Sequence, residues 1–469
     1  MESFNENFKM KKSVKFSIFA AILIMLLAAT YYYLRAIKSE DGSPLVSRAE
    51  LTTEAKPEIS FITFLERLTG IGGERTYLIL FENGMELRPG GGFIGSFAVV
   101  KMNNGSIASK EIHDTGIFDA NIKDGPEAPY LIQKFMGSKK WGFRDSNWYL
   151  DFPTNVAKAM ELYRLAGNNE KIDGVFAVTT ELLPFLIKKT GPVKIDGIEG
   201  EFTAENSLTK LEYEVEVGYW KKGIEKDNRK DALRDLVDAI LAKFKDMNKL
   251  EQLSFANEAK VLLANKNVQL FFYDDEMQQY ALSQNWTGDI VPTQGFDYLS
   301  VVDTNMGALK TDRCLERTYD YVADFSHALP RGSLTITYKH NCTTADFMTA
   351  DYHSYLRVYV PANYALHHTE GFDTGRIEEI MNERKDAVEE KEKDKVSFGN
   401  LAYIKLGAER SYKFFYDIDP SIKAETYRLY VQKQAGMKDP ALKVTLKSTK
   451  GDLVLFDGRV DKDLLIENN

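Results

Sequence analysis

Residues 82–96 read Glu-Asn-Gly-Met-Glu-Leu-Arg-Pro-Gly-Gly-Gly-Phe-Ile-Gly-Ser, and this stretch limits the fold more than any other. It lies between two apolar runs, 76–81 and 93–102. Both are rich in β-branched, aromatic and leucine residues, as buried strands are. Gly90, Gly91 and Gly92 remove three consecutive Cβ atoms, so other groups can come close to this backbone. Glu86 and Arg88 stand two apart and point the same way on extended backbone. Two readings are open. One is an anion-binding loop, in which Gly90, Gly91 and Gly92 offer N–H groups and Arg88 is a fork for phosphate. The other is a tight crossing between buried strands, with Arg88 in a structural ion pair.

The 469 residues suggest two or three domains at about 150 residues each. A net charge of -9 without a long basic tract argues against a nucleic-acid binder. Residues 16–34 carry no charge. As a helix they span ~28 Å, close to the hydrocarbon core of a bilayer. Lys9, Lys11, Lys12 and Lys15 precede them, and Tyr31, Tyr32 and Tyr33 lie at the far end. This pattern predicts a single-pass cell-membrane protein with a cytoplasmic tail (1–15), a transmembrane helix (16–34) and a stalk (35–58). The bulk of the chain is then extracytoplasmic. A cleaved signal peptide is the alternative, but the run is long for one and no clear cleavage site follows.

Only two cysteines occur, Cys314 and Cys342. Folding the predicted strands 315–325 and 333–341 into a hairpin puts them nearly opposite each other. Outside the cytoplasm a disulfide at the base of that hairpin is the expectation. Two small buried hydrophobes are the alternative.

Strands and helices alternate from 59 to about 312, the rhythm of an α/β domain. Residues 298–302 read as its last strand, and Thr180 as the cap of a helix over 181–189. From 313 to 469 strands alternate with turns, which predicts an all-β sandwich. A charged insertion, 376–395, reads as a solvated helix or a mobile excursion. The segment 114–155 is irregular and holds Asp119, Arg144, Asp145 and Asp151, and long irregular segments often line sites. A strong amphipathic helix is predicted over 227–247. Lys226, Arg229, Lys230 and Arg234 at its start oppose the helix dipole, which points to a nearby anion. The alternative is a solvated basic face. The six histidines are scattered, no metal-ligand spacing stands out, and no G-x-S-x-G motif occurs.

The stretch 83–96 resembles the signature of a membrane-anchored family of uncharacterised proteins, domain of unknown function 4012. Residues 145–153 (D-S-N-W-Y-L-D-F-P), 172–178 (I-D-G-V-F-A-V), 190–193 (T-G-P-V), 303–310 (D-T-N-M-G-A-L-K) and 427–436 (Y-R-L-Y-V-Q-K-Q-A-G) also match its pattern. A more distant likeness is to the LytR-CpsA-Psr family. Its members carry an anchor and an extracytoplasmic α/β domain, and move glycopolymers from polyprenyl-pyrophosphate carriers to the cell wall. That likeness implies Glu86 and Arg88 as catalytic residues. It also implies a substrate site of Arg88, Gly90, Gly91, Gly92, Arg144, Arg229 and Lys230, and Mg²⁺ on Glu86, Asp119 and Asp151. The partners implied are the membrane, a polyprenyl-pyrophosphate lipid and a cell-wall glycan. The chain departs from that family where its R-S-D element is replaced by Gly92-Phe93-Ile94-Gly95-Ser96, and the second metal-binding aspartate has no clear counterpart. The competing class is a non-enzymatic envelope scaffold or adhesin that uses the sandwich for its contacts.

Overall fold

The computed structural model describes residues 59–225, 231–248, 251, 258, 260–373 and 387–468. The predicted tail, membrane helix and stalk lie outside them, as do Arg229 and Lys230. Among the described residues no helix is long and apolar enough to cross a membrane. The fold is mixed α/β with several sheets.

The first portion is built on β1 (Arg75–Asn83), β2 (Phe93–Asn103), β3 (Ser106–Asp114) and β4 (Gly174–Thr179). A short hairpin follows, β5 (Val193–Lys194) and β6 (Glu201–Phe202), then β7 (Val268–Phe272). Five of these form one sheet in the order β3-β2-β1-β4-β7. β1 and β4 are parallel, and the other neighbours antiparallel. Both faces are covered at the centre of the sheet, where β1 and β4 are near-continuous apolar runs. Tyr77, Ile79, Phe176 and Val178 pack under the helices Phe61–Leu68, Leu182–Thr190 and Asp231–Asp246. Leu78, Leu80, Val175 and Ala177 pack on the other face against Phe152–Leu165. That helix starts where it does because the Asp151 carboxylate accepts the Thr154 N–H and Pro153 sits in its first turn.

The second portion contains β8 (Asp297–Asn305), β9 (Leu315–Asp324), β10 (Arg331–His340), β11 (Tyr352–Pro361), β12 (Leu366–Glu370) and β13 (Val388–Glu392). It continues with β14 (Lys395–Ile404), β15 (Glu409–Asp417), β16 (Arg428–Val431), β17 (Ala441–Ser448), β18 (Gly451–Arg459) and β19 (Leu464–Glu467). Two six-stranded sheets, β12-β15-β10-β9-β17-β18 and β13-β14-β11-β8-β16-β19, enclose one apolar core. Asp297 is fully buried in that core, where the hydroxyls of Tyr321, Tyr364 and Tyr427 donate to its carboxylate. Cys314 and Cys342 are joined by a disulfide at the base of the β9–β10 hairpin.

Three sequence expectations are corrected. Residues 298–302 belong to the sandwich, because β8 pairs with β11 and β16. The described end of the charged insertion is β13, an edge strand paired with β14. Its charges read as a solvated helix, yet an edge strand also leaves them in water and is protected by them from further pairing. Thr180 does not cap its helix. Its hydroxyl accepts the Gly84 N–H instead, and Glu181 occupies the cap position.

Candidate functional site

The turn between β1 and β2 is an internal crossing. Arg88 is 2% exposed, and all three of its guanidinium nitrogens are engaged. Nε donates to Asp145 Oδ1 at 3.3 Å and Nη2 to Glu86 Oε1 at 3.1 Å. Nη1 donates to the carbonyls of Leu87 and Asn305 at 3.1 and 3.0 Å. Burial pulls the guanidinium pKa down, but the Glu86 and Asp145 carboxylates outweigh it, and the net direction is up. Arg88 is therefore a positioning residue held by the protein. It is not the free phosphate fork that one reading of the sequence expects.

The glycines are likewise used inward. The Gly90 N–H donates to the Asn147 carbonyl, and the Gly90 carbonyl accepts from Gln269 Nε2. The Gly92 carbonyl accepts from Asn147 Nδ2. Gly91 has φ +146°, and a Cβ there would strike the Glu82 carboxylate. A Cβ on Gly92 would strike the backbone of Asn83. None of the three lines either of the two cavities that flank the crossing. They are glycine because β1, the 145–147 loop and the C-terminal loop around Gly436 converge on them. The crossing is also wired to the sandwich. The Leu87 N–H donates to Asp312, the Asn305 N–H to the Leu87 carbonyl, and Gln434 Nε2 to the Arg88 carbonyl.

Two cavities flank this crossing. An apolar pouch of about 230 Å³ lies at the carboxyl ends of the parallel pair β1 and β4, where open α/β sheets commonly bind ligands. Phe81, Val178, Leu183, Leu211, Val215 and Leu233 are among its walls. A charged cavity of about 760 Å³ is lined by Glu86, Arg88, Asp119, Arg144, Asp145 and Lys310, among others. Phe93, Gly116, Arg144 and Lys310 line both. The pouch and the charged cavity thus meet at two cations.

These cations are held loosely compared with Arg88. Arg144 Nε donates to Asp119 Oδ2 at 2.5 Å, and the arginine side chain is 39% exposed. Lys310 Nζ stands 3.7 Å from Glu86 Oε2 and 3.9 Å from Glu212 Oε2. Burial raises the Glu86 carboxyl against the pull of Arg88 and Lys310. It raises Asp119 against Arg144, and Glu212 against Lys310. Glu82 is fully buried in the pouch wall and pushed well above the usual carboxylate range, opposed only by the Asn147 hydrogen bond.

Of the residues expected from the sequence, Glu86, Arg88, Asp119 and Arg144 share one cavity. Asp151 does not join them. Its carboxylate accepts from Thr154 and from the Ile290 N–H, because it caps a helix. Among the described residues no three His, Cys, Asp or Glu side chains are grouped to hold a metal. Arg234, one of the four cations expected at the start of the 227–247 helix, lines the pouch, whereas Lys310 and Glu212 carry no site signal in the sequence beyond Lys310 ending the D-T-N-M-G-A-L-K stretch. Asp303 and Asn305 of that stretch are structural. Asp303 accepts from Arg317, Tyr338 and Ser354, and Asn305 donates to Asp312.

Comparison with curated proteins finds no match. Among solved structures, the chain is similar to the Lin1025 protein of Listeria innocua at 11% identity, covering 48% of this chain and 85% of that one, with a TM-score of 0.24. It is similar to the transcriptional regulator yvhJ of Bacillus subtilis at 15% identity, over 48% and 84%, with a TM-score of 0.24. TagV of Bacillus subtilis matches at 11% identity, over 46% and 81%, with a TM-score of 0.27. Residues 72–215, the segment that holds the glycine crossing and most of the charged lining, match the model of the family described as a protein of unknown function, DUF4012.

Proposed function

We propose that this chain is a membrane-anchored cell-envelope protein that binds a polyprenyl-pyrophosphate-linked glycan and passes its glycopolymer to the cell wall. The observation that carries this reading is the shared lining of the two cavities by Arg144 and Lys310. An amphiphile with a long apolar tail and an anionic head matches a small apolar pouch that opens at two cations. The tail lies against Phe81, Leu183 and Leu211, and the pyrophosphate sits between Arg144 and Lys310. The disulfide Cys314–Cys342 supports an oxidising, extracytoplasmic setting.

In the transfer step an acceptor hydroxyl oxygen bonds to the glycan-bearing phosphorus, the bridging P–O bond of the pyrophosphate breaks, polyprenyl phosphate departs, and the hydroxyl proton passes to solvent. Arg144 and Lys310 stabilise the charge on the departing phosphate. Arg88 holds Glu86 and Asp145 in the cavity wall. Mg²⁺ brought by the pyrophosphate would take Glu86 and Asp119, the two acids of the expected trio that face the cavity. Phosphate oxygens and water would complete its shell, as this ion prefers.

The test is lipid extraction from the full chain purified from its host envelope, followed by mass spectrometry. A polyprenyl pyrophosphate in the wild type that is lost in Arg144→Ala/Lys310→Ala is the expected result. No such lipid in the wild type would overturn the reading. One observation favours the scaffold alternative: the glycine crossing is internal and the Arg88 donors are spent within the protein.

A further inference from the structure

The segment that walls one side of the pouch has an apolar outer face as well. It runs through the helix Ser207–Tyr213, a π-helical turn Glu214–Gly218 and the short helix Tyr219–Lys221. Turns of that kind are rare and concentrate at functional sites. Leu208, Leu211 and Val215 face the pouch. On the outside, Trp220 is 59% exposed, Ile224 38% and Tyr213 37%. Lys221 Nζ lies 5.3 Å over the Tyr213 ring and 5.9 Å over the Trp220 ring, which joins them into one surface. Phe347, 44% exposed and carried by the sandwich portion, meets Tyr213 edge-on at 6.2 Å. Lys222 is tied to Glu214 in the same segment.

Exposed large apolar groups gathered in one place mark an interaction surface. Tryptophan and tyrosine beside lysine and an aliphatic residue are the chemistry of the bilayer interface. Twenty-four residues, 35–58, separate the run 16–34 from Ile59, where the described chain begins. A tether of that length reaches about 80 Å at most, so the domain stays within reach of the bilayer that holds the anchor. We propose that Tyr213, Trp220, Ile224 and Phe347 form a second membrane contact, which rests on the interfacial layer of that bilayer. This inference depends on the anchoring part of the proposed function and not on what the pouch binds. It sets the pouch wall against lipid, so an amphiphile need not cross water to enter.

The chain has four tryptophans, and Trp141, Trp148 and Trp286 are buried. Trp220 is therefore the one a bilayer surface can reach. The experiment reconstitutes the full chain in liposomes with brominated or plain acyl chains and reads tryptophan emission. A loss of emission in brominated liposomes that disappears in Trp220→Phe is the expected result. A smaller loss in Ile224→Glu, with the protein still in the vesicle fraction, would place the neighbouring residue on the same contact. Equal emission in the two lipids overturns the proposal. Protection of Trp220 from iodide that rises with protein concentration, without quenching by bromolipid, also overturns it and makes the face an interface between copies. Failure of the anchor is seen separately, as protein missing from the vesicle fraction. An empty pouch is seen only in the lipid extract.

Discussion

Arg88 and Arg144 each pair with an aspartate and line the same cavity, yet they do opposite work. Arg88 is 3% exposed at its side chain and surrounded by acceptors from positions 86, 87, 145 and 305. Arg144 is 39% exposed, held by Asp119, and borders both cavities. The crossing around Arg88 shows how a conspicuous motif arises from packing. Many backbones meet in one small volume, so glycine and a fully satisfied arginine are required there. The mouth of the pouch shows the reverse. Arg144 has one carboxylate partner and keeps part of its guanidinium in solvent, so it leaves a fainter pattern in the sequence.

The sharpest break of this comparison is Arg88→Ala. It leaves Glu86 and Asp145 buried beside a lost partner, and a cost of about 3–5 kcal/mol is expected in urea unfolding of the purified protein. A cost below about 1 kcal/mol would move Arg88 back among the ligand-binding groups. Gly92→Ala should cost about 3 kcal/mol by the same measurement, because its new Cβ meets the backbone of Asn83, which cannot yield as a side chain tip can.

A third effect depends on pH. Burial raises the Glu82 carboxyl well above its ordinary value of 4.5. A raised acid lends its stability below the ordinary value and loses it as pH rises through the folded value. The melting temperature of the wild type should therefore fall relative to Glu82→Gln as pH increases from 4.5. Parallel profiles would show that Glu82 is ionised in the fold. The smallest effect on stability is expected at the mouth. Arg144→Ala should lie within about 1 kcal/mol of the wild type, since a pair with a partly exposed arginine contributes little. The double variant Arg144→Ala/Lys310→Ala should lose co-purifying lipid. Unfolding of Arg144→Ala would erase the contrast between the two regions.

Much of the architecture was legible in order and type. The apolar runs 76–81 and 93–102 mark β1 and β2, and the described part of the helix expected over 227–247 is the helix Asp231–Asp246. The irregular segment 114–155 supplies Asp119, Arg144 and Asp145 to the charged cavity, as long irregular segments often do. What misled was local evidence with a distant cause. Asp151 resembles a metal ligand in sequence because its partner, the Ile290 N–H, is 139 positions away. The strand 297–305 follows an α/β stretch, so it reads as part of it, yet its hydrogen bonds lie with strands 352–361 and 428–431.

The sequence by itself determined the periodicities, the two-part texture of the chain and the DUF4012 resemblance, because these depend on neighbours within a few residues. Only the tertiary structure decided that Arg88 is spent and Arg144 is not. That choice turns on how many acceptors the fold brings within 3–3.5 Å of each guanidinium, and for Arg88 they come from the β1–β2 turn, the 145 loop and the end of β8. It also decided that an apolar pouch and a charged cavity share a wall, since Lys310 reaches that wall from beyond β8 while Phe93 and Arg144 reach it from the first portion.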